Sequence, residues 1–413
     1  MTMLFRLHLM GPDGASKTAI YDTATSSLII DGEPFPVTET DCATPPSVLV
    51  SPSTPGYKGG PFQRLKIQMG LACNMACSYC LQVTHREEKT STIDAEAFLA
   101  GLDGWWRPDR DENLRIEIWG GEPLLHWGKL RILVTGLRAR HPKANMLVIT
   151  NGTLLTLEIA RWAREMGLHL AISHDGPGQK SVRGHDPLEI PEALEAIRWL
   201  VAEHPEHVNF NCVLTQGNHS LGRIRRHLEK ALGVEEIALS TEGLVQVDGG
   251  QTSPLTDVDH EAIRLSLLDE MISGEALRNI TIAQKVRDFR LSLASRRPLS
   301  AVGQRCGMDR HHQIAVDLKG NVLTCQNTPE PEMRIGHVSA MGNVRLETAT
   351  HFSHRPGCME CPVVHLCLGA CMYAGGDDWE STCRNSFTFH AAILSGAMAH
   401  LTGMAIADIE PLR

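Results

Sequence analysis

Cys73, Cys77 and Cys80 stand in a C-x₃-C-x₂-C run, Cys73-Asn-Met-Ala-Cys77-Ser-Tyr-Cys80. Three thiolates in so short a loop can hold one corner of a four-iron cluster and leave one iron without a protein ligand, where a substrate atom can coordinate. The competing reading is a zinc site or three incidental thiols. Structural zinc normally takes four ligands, however, and the loop offers no fourth cysteine; His85 is the nearest histidine. Seven more of the 12 cysteines lie between Cys306 and Cys383, and Cys42 and Cys212 stand alone. At 413 residues the chain is longer than the usual secreted disulfide scaffold, and its start reads as no secretion signal. Clustered thiols in such a protein are expected to hold metal, and the expected location is cytoplasmic.

Those cysteines must be positioned by a fold. With 42% apolar and 21% charged residues the composition is that of a globular protein. A net charge of −9 argues against nucleic acid as a main partner, because phosphate binding needs a basic footprint. No stretch approaches the ~20 apolar residues that span a bilayer, so no membrane partner is expected. Residues 1–60 contain strand-like runs at Met3–Leu9, Thr18–Tyr21 and Ser27–Ile30, then a Pro- and Ser-rich connector from Thr44 to Gly60.

From about residue 64, strand patterns at Leu65–Gln68, Leu114–Ile118, Met146–Thr150, Leu168–Ser173, Val208–Leu214 and Glu236–Leu239 alternate with helical ones. The latter are Asp94–Trp106, His126–Arg140, Leu157–Met166, Pro191–Glu203 and Leu221–Leu232. Such β/α units imply a parallel sheet with helices packed outside it; closure into a barrel is not legible from periodicity. Gly249–Gly250 and the polar run to Asp257 mark a boundary, after which Ile263, Leu267 and Met271 share one helical face. Residues 301–383 are rich in Cys, Gly and Pro, so ligated metal is expected to replace part of a core there. A last helix carries Phe387, Ala391, Leu394, Met398 and Leu401 as a packing stripe.

The triplet, with Tyr79 before its last cysteine, resembles the defining motif of the radical S-adenosylmethionine superfamily, and successive strand ends carry companion motifs. Gly120-Gly121-Glu122-Pro123 resembles the family's GGE segment, Thr150-Asn151-Gly152 is a common companion, and Ser173-His174-Asp175-Gly176 resembles its Ser-x-Asp-Gly segment. Arg183 stands where related enzymes place a carboxylate-binding arginine. The resemblance implies an α/β fold, a partial (β/α)₆ TIM-like barrel over about 61–243. It implies a [4Fe–4S] cluster on Cys73, Cys77 and Cys80, and S-adenosylmethionine held by Tyr79, Gly120, Gly121, Glu122, Asn151, Ser173 and Arg183. Reductive cleavage of that cofactor gives a 5′-deoxyadenosyl radical that abstracts hydrogen from substrate. His174 replaces a usually apolar residue and is read as structural.

Cys306-x₁₃-Gly320-x₄-Cys325, then Cys358-x₂-Cys361-x₅-Cys367-x₃-Cys371-x₁₁-Cys383, resembles the seven-cysteine SPASM domain with two auxiliary [4Fe–4S] clusters. By that resemblance Cys358, Cys361, Cys367 and Cys383 close one cluster and Cys306, Cys325 and Cys371 hold the other, for three clusters in the chain. A zinc ribbon on Cys358, Cys361, Cys367 and Cys371 is the competing reading and leaves Cys306, Cys325 and Cys383 unexplained. Some relatives have an eighth cysteine where Ser300 stands here. The fourth ligand of the Cys306 cluster is then a substrate atom, water, or a distant residue such as His311, His312 or Cys212. The expected organisation is an N-terminal β-rich extension and connector (1–60), the barrel (61–243), a helical bridge (244–300) and the SPASM domain with its C-terminal helix (301–413).

A cluster chain can accept the electron that a substrate radical must discard, which argues for net oxidation. Two SPASM groups compete. Maturases of ribosomally made peptides form carbon–carbon, ether or thioether crosslinks, and this is the favoured reading. Anaerobic sulfatase maturases make formylglycine with an Asp base directly after the cysteine of the Gly-x₄-Cys segment; here Gln326 follows Cys325 and cannot accept a proton, so the general base is unassigned. A non-enzymatic multi-cluster electron carrier is disfavoured by the intact triplet and Glu122. The expected partners are a peptide or protein substrate, foremost a short precursor peptide, and a flavodoxin- or ferredoxin-type reductant. The strands of residues 1–60 either cover the barrel or pair with a leader peptide by edge addition.

Overall fold

The computed structural model describes residues 3–38, 50–80, 82, 95–245, 255–327, 333–374 and 377–412. The Gly249–Gly250 boundary, Cys42 and His85 lie outside them. Strands β1 (Leu4–Met10), β2 (Ser16–Asp22), β3 (Ser27–Ile30), β4 (Glu33–Pro34) and β5 (Gly56–Tyr57) open the chain. A β/α series follows: β6 (Arg64–Gln68), α1 (Ala95–Gly101), β7 (Arg115–Trp119), α2 (Trp127–Arg140), β8 (Asn145–Thr150), α3 (Leu157–Glu165) and β9 (Leu168–Ser173). It continues through α4 (Gln179–Arg183), α5 (Pro191–Glu203), β10 (Val208–Leu214), α6 (Leu221–Leu232) and β11 (Leu239–Leu244). Helices α7 (Asp257–Ile272) and α8 (Ile280–Ser295) lead to β12 (Gln313–Asp317), β13 (Asn321–Leu323), β14 (Arg334–His337) and β15 (Arg345–Leu346). Last come α9 (Val364–Cys367), α10 (Asp377–Thr402) and β16 (Ala405–Leu412).

Six parallel strands in sequence order, β6 to β11, form the sheet of a β/α series. The cysteine-rich region extends the same sheet: β12 adds to β6 in parallel, and β13 and β14 follow antiparallel, giving nine strands. Along β6 and β7, Leu65, Ile67, Ile116 and Ile118 join the cluster that includes Phe98, Leu99, Leu130 and Leu133 of the outer helices. The alternate residues Lys66, Gln68 and Glu117 point to the other face and are also buried, so polar groups line the sheet's concave side.

Local signals set several boundaries. The Ser220 side chain caps α6 by accepting from Arg223 N at 3.1 Å, and Gly233 ends that helix in the left-handed region. Glu270 of α7 accepts from Leu221 N at 2.9 Å and Gly222 N at 3.1 Å, a carboxylate answering the α6 N-terminus. The expected α7 face is buried at Ile263, Leu267 and Met271. In α10, Ala391, Leu394 and Met398 are buried, but Phe387 is 40% exposed and does not belong to the stripe. The sixth strand lies later than the apolar run Ile237–Leu239 suggests, because pairing with β10 begins at Phe210↔Leu239 and runs on to Leu214↔Leu244.

The two ends of the chain share one sheet, ordered β16-β1-β2-β3-β4, with β16 antiparallel to β1. Its residues Phe5, Leu7 and Leu9 are in the same apolar cluster as the β/α sheet. Leu7→Ala, at a side chain with 0% exposure, is expected to cost about 2–5 kcal/mol in denaturant unfolding.

Candidate active site and thiol groups

The segment Met69–Cys73 leaves β6 and is held against the end of β7 by backbone hydrogen bonds. Gly121 N donates to Gly70 O at 2.9 Å and Glu122 N to Ala72 O at 2.8 Å. A Cβ at Gly121 would lie 2.0 Å from Ala72 O, and one at Gly120 would lie 2.6 Å from Gly70 O. Both glycines are therefore required by contact with the cysteine loop, whatever else their backbone binds. Glu122 is 1% exposed, and its carboxylate accepts from Leu124 N at 2.9 Å, Thr150 Oγ1 at 2.7 Å and Asn151 N at 2.7 Å. Burial raises this carboxyl, and those three donors act against the rise. Glu122 thus ties the β7 end to the β8 end.

The Thr150–Thr153 loop grips the triplet from the other side. Asn151 Nδ2 donates to Asn74 Oδ1 at 2.8 Å and approaches Cys73 Sγ at 3.9 Å, while Asn74 Nδ2 donates to Thr153 Oγ1 at 2.8 Å. A third anchor comes from beyond β9, where Asp175 has 0% exposure. Its Oδ2 accepts from Tyr79 Oη at 2.6 Å and Arg183 Nε at 2.8 Å; its Oδ1 accepts from Val213 N at 2.8 Å and Arg183 Nη2 at 3.2 Å. The Arg183 guanidinium lies 5.3 Å from the Tyr79 ring centroid, and Ser78 N donates to Val182 O at 2.8 Å. Tyr79, expected at the cofactor, spends its hydroxyl on Asp175. Ser173 ends β9 half-buried beside these groups. His174 is structural as expected, with Nδ1 accepting from Gly176 N at 2.9 Å and Nε2 3.0 Å from Asp186 Oδ1.

No disulfide joins the eleven described cysteines. Electrostatic coupling sorts ten of them into three groups. Burial raises the Cys77 thiol; Arg183 opposes, while Cys80 and Cys73 add to the rise. Burial pushes Cys325 up to about 11, with Lys66 opposing and Cys306 and Cys371 reinforcing. Burial pushes Cys361 up to about 12, reinforced by Cys367, Cys383 and Cys358. Cys371 thus acts electrostatically on Cys325 together with Cys306, and Cys383, on α10, acts on Cys361 together with Cys367 and Cys358. Among the described residues, no three His, Cys, Asp or Glu side chains are grouped to hold a single metal ion. Unbridged thiols in sets of three, three and four fit thiolate-held iron–sulfur clusters. Backbone N–H groups directed at sulfur fit them too: Met75 N at 3.4 Å from Cys73 Sγ, and Asn327 N at 3.3 Å from Cys325 Sγ.

The candidates for a fourth ligand to the Cys306 group separate. Cys212 sits in β10 next to Ser240 O at 3.4 Å, its thiol raised by burial and by Asp175, so it belongs to the barrel site. His311 stacks on Tyr57 at 5.7 Å and Ser300 is exposed. Tyr373, which the sequence reading passed over, is half-buried there: desolvation and then Cys325, Cys306 and Cys371 raise its phenol, which donates to Thr324 O at 2.5 Å. Its place two residues after Cys371 was the available signal.

Interior side chains of β6 join the auxiliary segment to the barrel. Lys66 Nζ donates to Gln326 Oε1 at 3.0 Å, and Gln68 Nε2 donates to Gln326 O at 2.8 Å. Lys66 also lies 3.9 Å from Oε2 of Glu117, whose Oε1 is shared by Arg64 and Arg115. Burial alone would raise the Glu117 carboxyl, but these three cations hold it below the usual range.

A loop of three thiols on the first strand of a parallel β/α sheet, clasped by the ends of the next strands, defines a class of cofactor enzyme. Residues 67–220 match the radical SAM superfamily, so the chain carries a radical SAM domain over that span. That family binds S-adenosylmethionine and a [4Fe–4S] cluster. The radical SAM cyclopropyl synthase TigE of Paramaledivibacter caminithermalis is 20% identical over 38% of this chain, a match spanning only 36% of that protein. The serine-type anaerobic sulfatase-maturating enzyme of Bacteroides thetaiotaomicron is 22% identical over 73% of this chain and 80% of its own. The structure of native anSMEcpe with bound AdoMet shares the fold, with a TM-score of 0.57 and 19% identity, over 82% of this chain and 98% of that one.

Asp175→Asn is expected to leave Arg183 buried without its counter-charge. The loss is about 3–5 kcal/mol of stability, read by thermal unfolding, together with loss of iron from the Cys73 loop.

Proposed function

We propose that the chain modifies a peptide by an oxidative crosslink, carbon–carbon, ether or thioether, and discards the resulting electron through two auxiliary [4Fe–4S] clusters. Cys73, Cys77 and Cys80 hold the first cluster. Cys306, Cys325 and Cys371 hold the second, and Cys358, Cys361, Cys367 and Cys383 the third. When bound, the first cluster and S-adenosylmethionine supply a 5′-deoxyadenosyl radical that takes one hydrogen atom from the substrate. The backbone of Gly120–Gly121, together with Asn151, Ser173 and Arg183, borders the cofactor's place. Glu122 and Asp175 keep the loop in register, and Tyr79 contributes its ring.

The observation that carries this reading is the docking of Cys325–Gln326 on Lys66 and Gln68, interior residues of the strand that runs into the Cys73 loop. One strand therefore couples an auxiliary thiol group to the radical site, as a net oxidation requires. Gln326 bears on the bond formed: its amide accepts from Lys66 and offers no proton acceptor. The second reading is formylglycine formation on a protein Ser or Cys, favoured by the length of the match to the maturase.

Anaerobic, reconstituted protein given S-adenosylmethionine and dithionite is expected to release 5′-deoxyadenosine. Co-expression with a short peptide encoded beside it should give a product two hydrogens lighter per crosslink and inert to an aminooxy probe. An aldehyde captured by that probe selects formylglycine instead. Cys77→Ala is expected to abolish 5′-deoxyadenosine, whereas Cys361→Ala keeps part of it and loses the product; undiminished product removes the auxiliary role.

A further inference from the structure

Arg355 lies three residues ahead of Cys358, and its side chain reaches the segments that carry two other cysteines. Nη1 donates to Ala374 O at 2.6 Å and Nη2 to Met372 O, the residue after Cys371. Its Nε donates to Thr350 O at 3.4 Å. The guanidinium carbon sits 4.0 Å from the Trp379 ring centroid, and Trp379 is one turn before Cys383 on α10. A single cation thus contacts the neighbours of Cys371, from the three-thiol group, and of Cys358 and Cys383, from the four-thiol group. Its partners are carbonyl oxygens and an aromatic face, and among the described residues it forms no ion pair. The electrostatic influence is mutual. Burial lowers Arg355 while Cys358, Cys371 and Cys383 act to raise it.

We propose that Arg355 is a positioning residue for electron exit, a fixed cation shared by both auxiliary thiol groups that raises the reduction potentials of the clusters they hold. Reduction adds one negative charge to a cluster, and a half-buried cation fixed beside it favours the reduced form. Both auxiliary centres are thereby kept able to accept the electron that a substrate radical releases. The inference rests on reading the two groups as cluster sites.

The test uses the full chain with Cys73, Cys77 and Cys80 changed to Ala, so that only auxiliary clusters form, and follows them by EPR-monitored redox titration. Arg355→Gln is expected to shift the reduction equilibrium at least tenfold toward the oxidised form, about 59 mV for one electron. Arg355→Lys, which keeps the charge, is expected to shift it less than threefold. Equal potentials in the Gln variant at full iron content overturn the proposal, as does an equal fall in both variants, because charge is then not the cause. Where the Gln variant fails to retain iron, Arg355→Met, which keeps an unbranched stem against Trp379 and removes the charge, takes its place. It is expected to lower the potentials in the same direction, and unshifted potentials overturn the proposal. Absence of auxiliary iron in the parent protein fails the cluster reading itself, a result distinct from loaded clusters with unmoved potentials.

Discussion

The Asp175 carboxylate, sealed from solvent, is the constraint on which the candidate active site depends. It joins a phenol from the cysteine loop, a guanidinium from α4 and a backbone amide from β10. A buried carboxylate is tolerable only when paired and fully hydrogen-bonded, and here those conditions are met by residues that the site must hold in register. Removing any one partner leaves polar groups stranded beside the thiols. The cysteine loop is therefore located by electrostatics as much as by its own short sequence.

Around that centre, the ends of neighbouring strands are sewn together by side chains that do no chemistry themselves. Glu122 bridges β7 and β8, Asn151 and Thr153 hold Asn74, and the paired glycines let two loops approach to backbone contact. On the concave face of β6, Lys66 and Gln68 extend the arrangement to Gln326. The Cys73 loop and the Cys325 segment are consequently fastened to one strand, a geometry that limits drift between them.

Much of this was legible in the sequence for identifiable reasons. Strand and helix periodicity gave the β/α series because both faces of its elements are buried by regular neighbours. The resemblance to the SPASM domain, rather than spacing itself, put Cys371 with Cys306 and Cys325, and Cys306 and Cys371 are the two thiols whose charge acts on Cys325. What periodicity does not carry is contact between distant segments. The hydrogen bonds of Tyr79 to Asp175 and of Glu122 to the β8 end are contacts between segments far apart in sequence, which only three-dimensional packing makes visible. Lys66 looked like an ordinary charged residue in a strand until β12 and the Cys325 segment closed over it. Nothing in residues 4–10 announced that their partner lies at 405–412, since a β-strand's sequence specifies a face but not the identity of its neighbour.

That last pairing has a consequence for biogenesis. During synthesis β1 emerges with one flank satisfied by β2, while its other flank waits for residues made some four hundred codons later. Throughout translation of the intervening segments the nascent chain carries an exposed row of unpaired amides, a template for association with another polypeptide. Synthesis of β16, not completion of the β/α sheet, is the event that closes this flank.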